Sequence, residues 1–420
     1  MTTLKRELIS IIGSVAVFAG TLAAQPVVVA GTGDPNTDVP AVQAAVDRGG
    51  RLVLMGHFSF DRPPTTPAGK PYARMVTVSK TVVISGSLDQ NGDMPTIEGG
   101  EWPFLVDAVD ARVTIQGLHF VRPKAGAIWI YAVGGLSVTG CRIESIEPTA
   151  QFAIDAGQVG PVSTAIFVGA DPHPPSPTEL GRPENFSGTL AILNNDIDVG
   201  VGAAPGAQTL GIAMFNVGRS PDKEVEIQVS GNNIRNSTEP AINFRVIGGR
   251  AYAERNMLVT GVTGGGDAIR VVGSGSYLIA HNSIDCGWVN GAATGINLIG
   301  NGNGYAPMAS AIIVDNDVTM SAQEGTVFGS SSAGIGIKGF AQGNSVLNNR
   351  IRGRARAALA VNAQNAGIPG NNSFVSNDLD GFQSSLADIF VDAGVTNTAV
   401  IGRQARIEDH GTGTVVVPMR

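Results

Sequence analysis

Large apolar residues recur along this chain in a fixed local phrase: a short alternating run, then Asn, one variable residue, and an apolar residue. It reads "VSGNNIRNS" from Val229, "LNNDIDVG" from Leu193, "AHNSIDCG" from Ala280, "VDNDVTMS" from Val314, "LNNRIRGR" from Leu347 and "VSNDLDGF" from Val375. The register marks are Phe120, Ile143, Ile197, Ile234, Met257, Ile284, Val318, Ile351 and Leu379. Five residues before each stands a second apolar residue: Ile115, Val138, Ile192, Val229, Tyr252, Ile279, Ile313, Val346 and Phe374. Most gaps between marks are 23–37 residues, and the gap of 54 between Ile143 and Ile197 reads as two turns. Upstream of these units lie further alternating runs, among them "AIWIYA" (127–132), "AINFRV" (241–246), "AIRVV" (268–272), "GINLI" (295–299), "GIGIK" (334–338) and "DIFVD" (388–392). Alternation gives a strand one buried and one exposed face. Short strands repeating at this period predict an all-β fold: one parallel β-helix solenoid over residues 51–410, each coil stacked on the last. The Asn belongs at the bend between the second and third strands. There it tolerates unusual backbone angles and hydrogen-bonds its counterpart one coil away, satisfying backbone at a buried corner.

The solenoid needs a lid at its open end. In "DVPAVQAAVDRGGRLVLMGHFSF" (38–60), Asn36, Thr37 or Asp38 caps a short helix, Val39, Val42 and Val46 face one way, and Gly49-Gly50 ends it. Residues 25–50 are therefore read as an N-terminal segment with a capping helix, and 411–420 as a C-terminal strand or tail. Lys5 and Arg6 precede an unbroken weakly apolar run, Leu8 to Ala24, closed by Ala23 and Ala24. That pattern predicts a signal peptide over 1–24 and a secreted, periplasmic or cell-surface protein, with no membrane span after cleavage.

Composition sharpens the functional classes. The net charge is −7, and loss of residues 1–24, with Lys5, Arg6 and Glu7, takes it to −8. An acidic chain without basic runs argues against a nucleic-acid partner. Two distant cysteines, Cys141 and Cys286, make neither a disulfide scaffold nor a metal site and are read as buried thiols.

The unit "AIRVVGSGSYLIAHNSI" (268–284) resembles the right-handed β-helix repeat of the pectate lyase-like superfamily, and segment 38–60 resembles that superfamily's amino-terminal cap. The resemblance covers roughly residues 36–410. It implies fold rather than activity, because the superfamily hosts lyases, hydrolases, epimerases and non-catalytic surface proteins. In its enzymes, substrate lies along the exposed face of the strand that opens each coil. Here that face would carry Trp129 and Tyr131, Phe167, Phe215, Asn243 with Arg245, Arg270, Asn297, Lys338, Asn362 and Asp392. Aromatic faces such as Trp129, Phe167 and Phe215 stack on sugar rings, Asn243 and Asn297 hydrogen-bond them, and Arg or Lys pairs a uronate carboxylate. A lyase would draw its base from Lys338 or Arg270 and its charge neutraliser from Arg245 or Asn243.

"VGADPHPPSP" (168–177) partly resembles the Asp-Pro-His-Asp motif of alginate epimerases. Asp171, Pro172 and His173 match it, while Pro174 replaces the second Asp and Val168 stands where the usual catalytic Tyr would be. The resemblance makes Asp171 and His173 catalytic candidates, against a plain Pro-rich turn. No cofactor or metal site is predicted. In "LDQNGDMPTIE" (88–98), Asp89, Asn91, Asp93 and Glu98 raise calcium, but the spacing fails the EF-hand pattern and an Asn-Gly turn accounts for it. Two readings follow: an exported protein acting on an acidic glycan as a uronate lyase or epimerase, or a non-catalytic cell-surface β-helix with a glycan-binding or structural role. Convergence of the polar groups in one cleft separates them.

Overall fold

A computed structural model describes residues 25–63, 75–147, 162–169, 185–200, 208–218, 225–260, 266–287, 293–300, 310–363, 367–403 and 405–418. The expectations for 1–24 and for the loop holding Asp171 and His173 lie outside these residues. The described chain is one right-handed parallel β-helix of 33 strands, every strand pairing parallel. Some strands turn corners: Phe104–Gln116 and Ile128–Thr139 each pair with two different strands of the coil above or below. Each coil repeats the alternation seen in the sequence, so Ile192, Val229, Ile279 and Ile313 all point into one continuous apolar core. Full burial of a side chain of this size contributes about 1.5–3 kcal/mol.

Two features of the register differ from the sequence reading. Ile143 pairs directly with Ile197, so the 54-residue gap is one coil with long insertions and not two turns. Ile234 pairs with Leu258 and Val229 with Ala253, so the marks in this coil are Leu258 and Ala253. Met257 is 49% exposed. The larger Tyr252 and Met257 drew the pattern one residue off, because an inward Ala carries little hydrophobic signal.

The Asn repeat is a ladder. Asn195, Asn232, Asn256, Asn282, Asn316, Asn349 and Asn377 stack corner on corner, each donating its backbone N–H and its Nδ2 to the Oδ1 of the next at 2.9–3.0 Å. Cys141 heads it, its backbone N–H donating to Asn195 Oδ1 at 2.9 Å. The unusual backbone angle belongs to the residue before the ladder position: Asn194, Gly231, Arg255, His281, Asp315, Asn348 and Ser376 all have φ between 52° and 67°. That sharp bend turns the ladder Asn inward. Asn344 and Asn372 form a shorter ladder at another corner, which the sequence reading missed.

The capping helix runs Pro35–Val46 and buries Val39, Val42 and Val46 against the first coil. Its N-cap is Asp34, which accepts the Asn36 N–H, with Pro35 at the first helical position. The expected caps Asn36, Thr37 and Asp38 therefore lie inside the helix. Asp38 serves another purpose. Its buried carboxylate accepts N–H groups from Thr32, Gly33 and Ser59, tying the helix to the strand His57–Ser59. No helix among the described residues is long and apolar enough to cross a membrane.

Candidate functional site

Register assembles the site. The strands Gln208–Gly218, Ile242–Ile247, Ile269–Gly273, Thr294–Gly300 and Ala333–Gly339 lie side by side, each opening a coil, and the second half of Arg350–Asn362 continues the series after its first half has closed the coil before. One outward row runs Trp129, Phe167, Ala213, Asn243, Arg270, Asn297, Gly336, Ala360, Phe390. The row two residues on runs Phe215, Arg245, Val272, Ile299, Lys338, Asn362. Strand parity thus places Asn243, Arg245, Arg270, Asn297 and Lys338 on one face, but Asn243, Asn297 and Lys338 are nearly buried there and not exposed as the sequence reading expects.

The aromatic end behaves differently. Trp129 is 3% exposed and Phe167 1%, packed with Trp102, Leu105 and Leu210 in a second apolar cluster outside the solenoid. Trp129 lies 5.8 Å from Trp102 between ring centroids and donates its indole N–H to the Gly169 carbonyl. Phe215 is half-buried, with the Arg245 guanidinium 4.2 Å over its ring. These rings are structural supports and offer no open platform for a sugar. The cation–π contact holds Arg245 flat on the sheet.

The middle of the face holds a charged cluster, and two of its members were not picked out from the sequence. Asp267 stands at the corner before its strand, its side chain 4% exposed. It accepts from Arg270 Nε at 2.7 Å, Asn297 Nδ2 at 2.9 Å and the Thr294 N–H at 3.2 Å. Glu239, at the matching corner one coil earlier, approaches Arg270 Nη2 at 3.5 Å. The remaining Nη1 of Arg270 has no partner among the described residues. Burial works against the Arg270 charge, but Asp267 and Glu239 outweigh it and hold the guanidinium above its ordinary value. Burial also pushes the Glu239 carboxyl up; Asp267 adds to this, and Arg270 and Arg245 oppose it. Both acids sit just ahead of a small apolar entry residue, in "TEPAI" and "GGDAI", which was the only signal available.

Lys338 completes the set. It is 4% exposed, and its ammonium has no hydrogen bond or ion pair among the described residues. Burial lowers its affinity for a proton, Asp267 opposes that, and Arg270 reinforces it. Nearby on the same two rows, Asn243 Oδ1, Asn297 Oδ1 and Asn362 Nδ2 are buried polar atoms without partners among the described residues. Buried polar groups are normally satisfied, so such a gathering on one face makes it the candidate site of this chain.

The calcium suggestion finds a simpler explanation: Asp89 accepts the N–H groups of Asn91 at 2.8 Å and Asp93 at 2.9 Å, closing a turn on Gly92. Among the described residues no group of three or more His, Cys, Asp or Glu is placed to hold a metal.

No family model matches the chain, and no curated protein matches it. Among solved structures it is similar to the A-module of the mannuronan C-5 epimerase AlgE4 of Azotobacter vinelandii, at 11% identity over 92% of this chain and 95% of that one, TM-score 0.41. It is similar to a mannuronic acid-specific polysaccharide family 6 lyase from human gut microbiota, at 13% identity over 93% and 82% of the two chains, TM-score 0.37. The surface protein and adhesin PfbA of Streptococcus pneumoniae gives 11% identity over 93% and 97%, TM-score 0.40. At such identities none of them assigns a role to a residue of this chain.

Proposed function

We propose that this protein acts on an anionic, uronate-containing polysaccharide by a lyase-type elimination, with Lys338 as the base. One observation carries the reading: a nearly buried lysine, without a hydrogen bond among the described residues and with its proton loosened by burial, stands within electrostatic reach of the buried Asp267 and the half-buried Arg270, which Glu239 also approaches. Burial that disfavours the ammonium form makes a lysine a better proton acceptor than one in water, which is what a general base requires. Its Nζ takes the proton from the carbon beside the uronate carboxylate. The electron pair moves into a carbon–carbon double bond as the glycosidic oxygen departs, and the same nitrogen, now an ammonium, returns the proton to that oxygen. The carbon acid is strengthened when the carboxylate charge is offset, which the Arg270 guanidinium can do through Nη1, an atom with no partner among the described residues. Asp267 and Glu239 keep that guanidinium charged and fixed.

Arg245 stands three strands from Lys338 along its row. That is roughly 14 Å at the usual strand spacing, which suits a carboxylate on a neighbouring sugar. Asn243 and Asn297 provide partners for hydroxyls between them, and Asn362 does so one strand beyond Lys338. The N-terminal charge and hydropathy pattern supports action outside the cytoplasm, in the periplasm, at the cell surface or in the medium.

The test is incubation with a panel of uronate polymers, following the absorbance of the unsaturated product. Product formation that disappears in Lys338→Met is expected. Binding without product would make the chain a glycan-binding module, and inversion at the carbon without cleavage would make it an epimerase.

A further inference from the structure

Lys338 is buried on the outward side of a strand, where a lysine ordinarily extends into water. Its own sequence neighbourhood, "GIGIKG", explains how. Gly336 lies two residues before it on the same face, between Asn297 and Ala360 in the adjoining strands. An ideal Cβ built on Gly336 would stand 3.5 Å from Lys338 Cε, 3.7 Å from Asn297 Oδ1 and 3.2 Å from Thr294 Cγ2. The lysine chain therefore runs back along the strand and lies over the bare Cα.

The fold itself does not demand glycine here. Gly336 has no positive φ, and none of its three contacts falls below 3.0 Å. Gly334 in the same strand contrasts with it: a Cβ there would meet Ile351 Cγ2 at 2.5 Å and the Ala358 carbonyl at 2.8 Å. Gly334 is required by packing, whereas an alanine at 336 needs only the Thr294 side chain to give by a few tenths of an ångström. A glycine in a strand interior is otherwise a liability for stability.

We infer that Gly336 is a positioning residue for Lys338, its missing side chain being the seat that folds the lysine inward and keeps its nitrogen beside Asp267, Arg270 and Asn297. This deepens the lyase reading, on which it rests for its catalytic meaning. A γ-branched or β-branched side chain at 336 would occupy the place of Cε and turn the ammonium out to solvent, while leaving every strand pairing intact.

The experiment uses the full chain labelled with ¹³Cε-lysine, which contains only six lysines, so that each can be resolved in a pH titration by NMR. Lys338 in the wild type should titrate at the lowest pH of the six. In Gly336→Val, a residue type that suits strands, its midpoint should rise to join the exposed lysines. Turnover of the glycan should fall on the order of 10²-fold with KM little changed, the loss expected of a misplaced catalytic group. An unchanged midpoint in folded Gly336→Val would overturn the inference. Should that variant not fold, Gly336→Ser, with one atom beyond Cβ, carries the same decision. The titration needs no turnover. A shifted midpoint in a protein inactive on every glycan would support the seat and sink the lyase, and an unshifted midpoint in an active enzyme would sink the seat alone.

Discussion

Replacing Asn256 by Ala tests whether the ladder holds the solenoid together. Asn256 is 1% exposed and makes four side-chain hydrogen bonds. Its Oδ1 accepts the backbone N–H and the Nδ2 of Asn232, both at 3.0 Å, and its Nδ2 donates to the Val229 carbonyl and to Asn282 Oδ1, both at 2.9 Å. After truncation the Asn232 Nδ2 still has the Ile192 carbonyl, and Asn282 Oδ1 still has the Asn256 N–H. The Asn232 N–H has nothing left. One orphaned buried donor costs about 1–3 kcal/mol, and each weakened group adds about 0.5–1.5 kcal/mol. The expected loss is about 3–5 kcal/mol. Asn377, at the far end of the ladder, is only half-buried, so water can replace its amide and Asn377→Ala should cost about 1 kcal/mol. Because coils contact only their neighbours, the loss should be read by denaturant unfolding together with hydrogen exchange in the coils flanking residue 256. A loss below about 1 kcal/mol, or one no larger than that of Asn377→Ala, would refute the claim that the ladder carries coil stability.

Lys338→Met should lower glycan turnover about 10²–10⁴-fold while making the protein more stable at neutral pH. Burial depresses the folded-state affinity of Lys338 for its proton, so the penalty is full below the folded value and vanishes as pH rises through the ordinary lysine value of 10.5. The variant's advantage in melting temperature should shrink accordingly, and a constant advantage at all pH values would contradict the burial. Arg270→Ala should cost about 3–5 kcal/mol, because it leaves Asp267 buried without its counter-charge. This differs from the expectation for an isolated surface arginine, and Asp267→Asn in the same chain should restore part of the loss. Arg245→Ala should leave the melting temperature nearly unchanged and raise KM, measured on the polymer that is turned over. Burial pushes the thiols of Cys141 and Cys286 up to about 11 and about 12. Neither should be alkylated in the native protein at mildly alkaline pH, both should react once unfolded, and mass spectrometry should find no 141–286 bridge, since both are free and buried.

Much of this was legible in the sequence because a solenoid is nearly one-dimensional. Each coil contacts only the next, so a local pattern of Asn and apolar residues fixes the corner, the inward face and, by parity, the outward row holding Asn243, Arg270 and Asn297. Where an inward residue was small, as at Ala253, the pattern slipped to its larger neighbour Tyr252. Where insertions lengthened one coil, as between Ile143 and Ile197, spacing alone could not tell one turn from two.

The tertiary structure decided what parity cannot. An outward position is exposed only if nothing crosses above it, and Trp129 and Phe167 proved to belong to a second apolar cluster. Glu239 and Asp267 sit at corners, where the period of two breaks and a side chain's direction no longer follows from its position. The environment of Lys338 depends on groups from separate strands and corners, brought within reach only by stacking. Its charge is set by long-range desolvation and by Asp267 and Arg270, 71 and 68 residues away in the chain. Periodicity is written in neighbouring residues and can be read there; burial and electrostatics are sums over the folded surroundings and exist only once the coils have stacked.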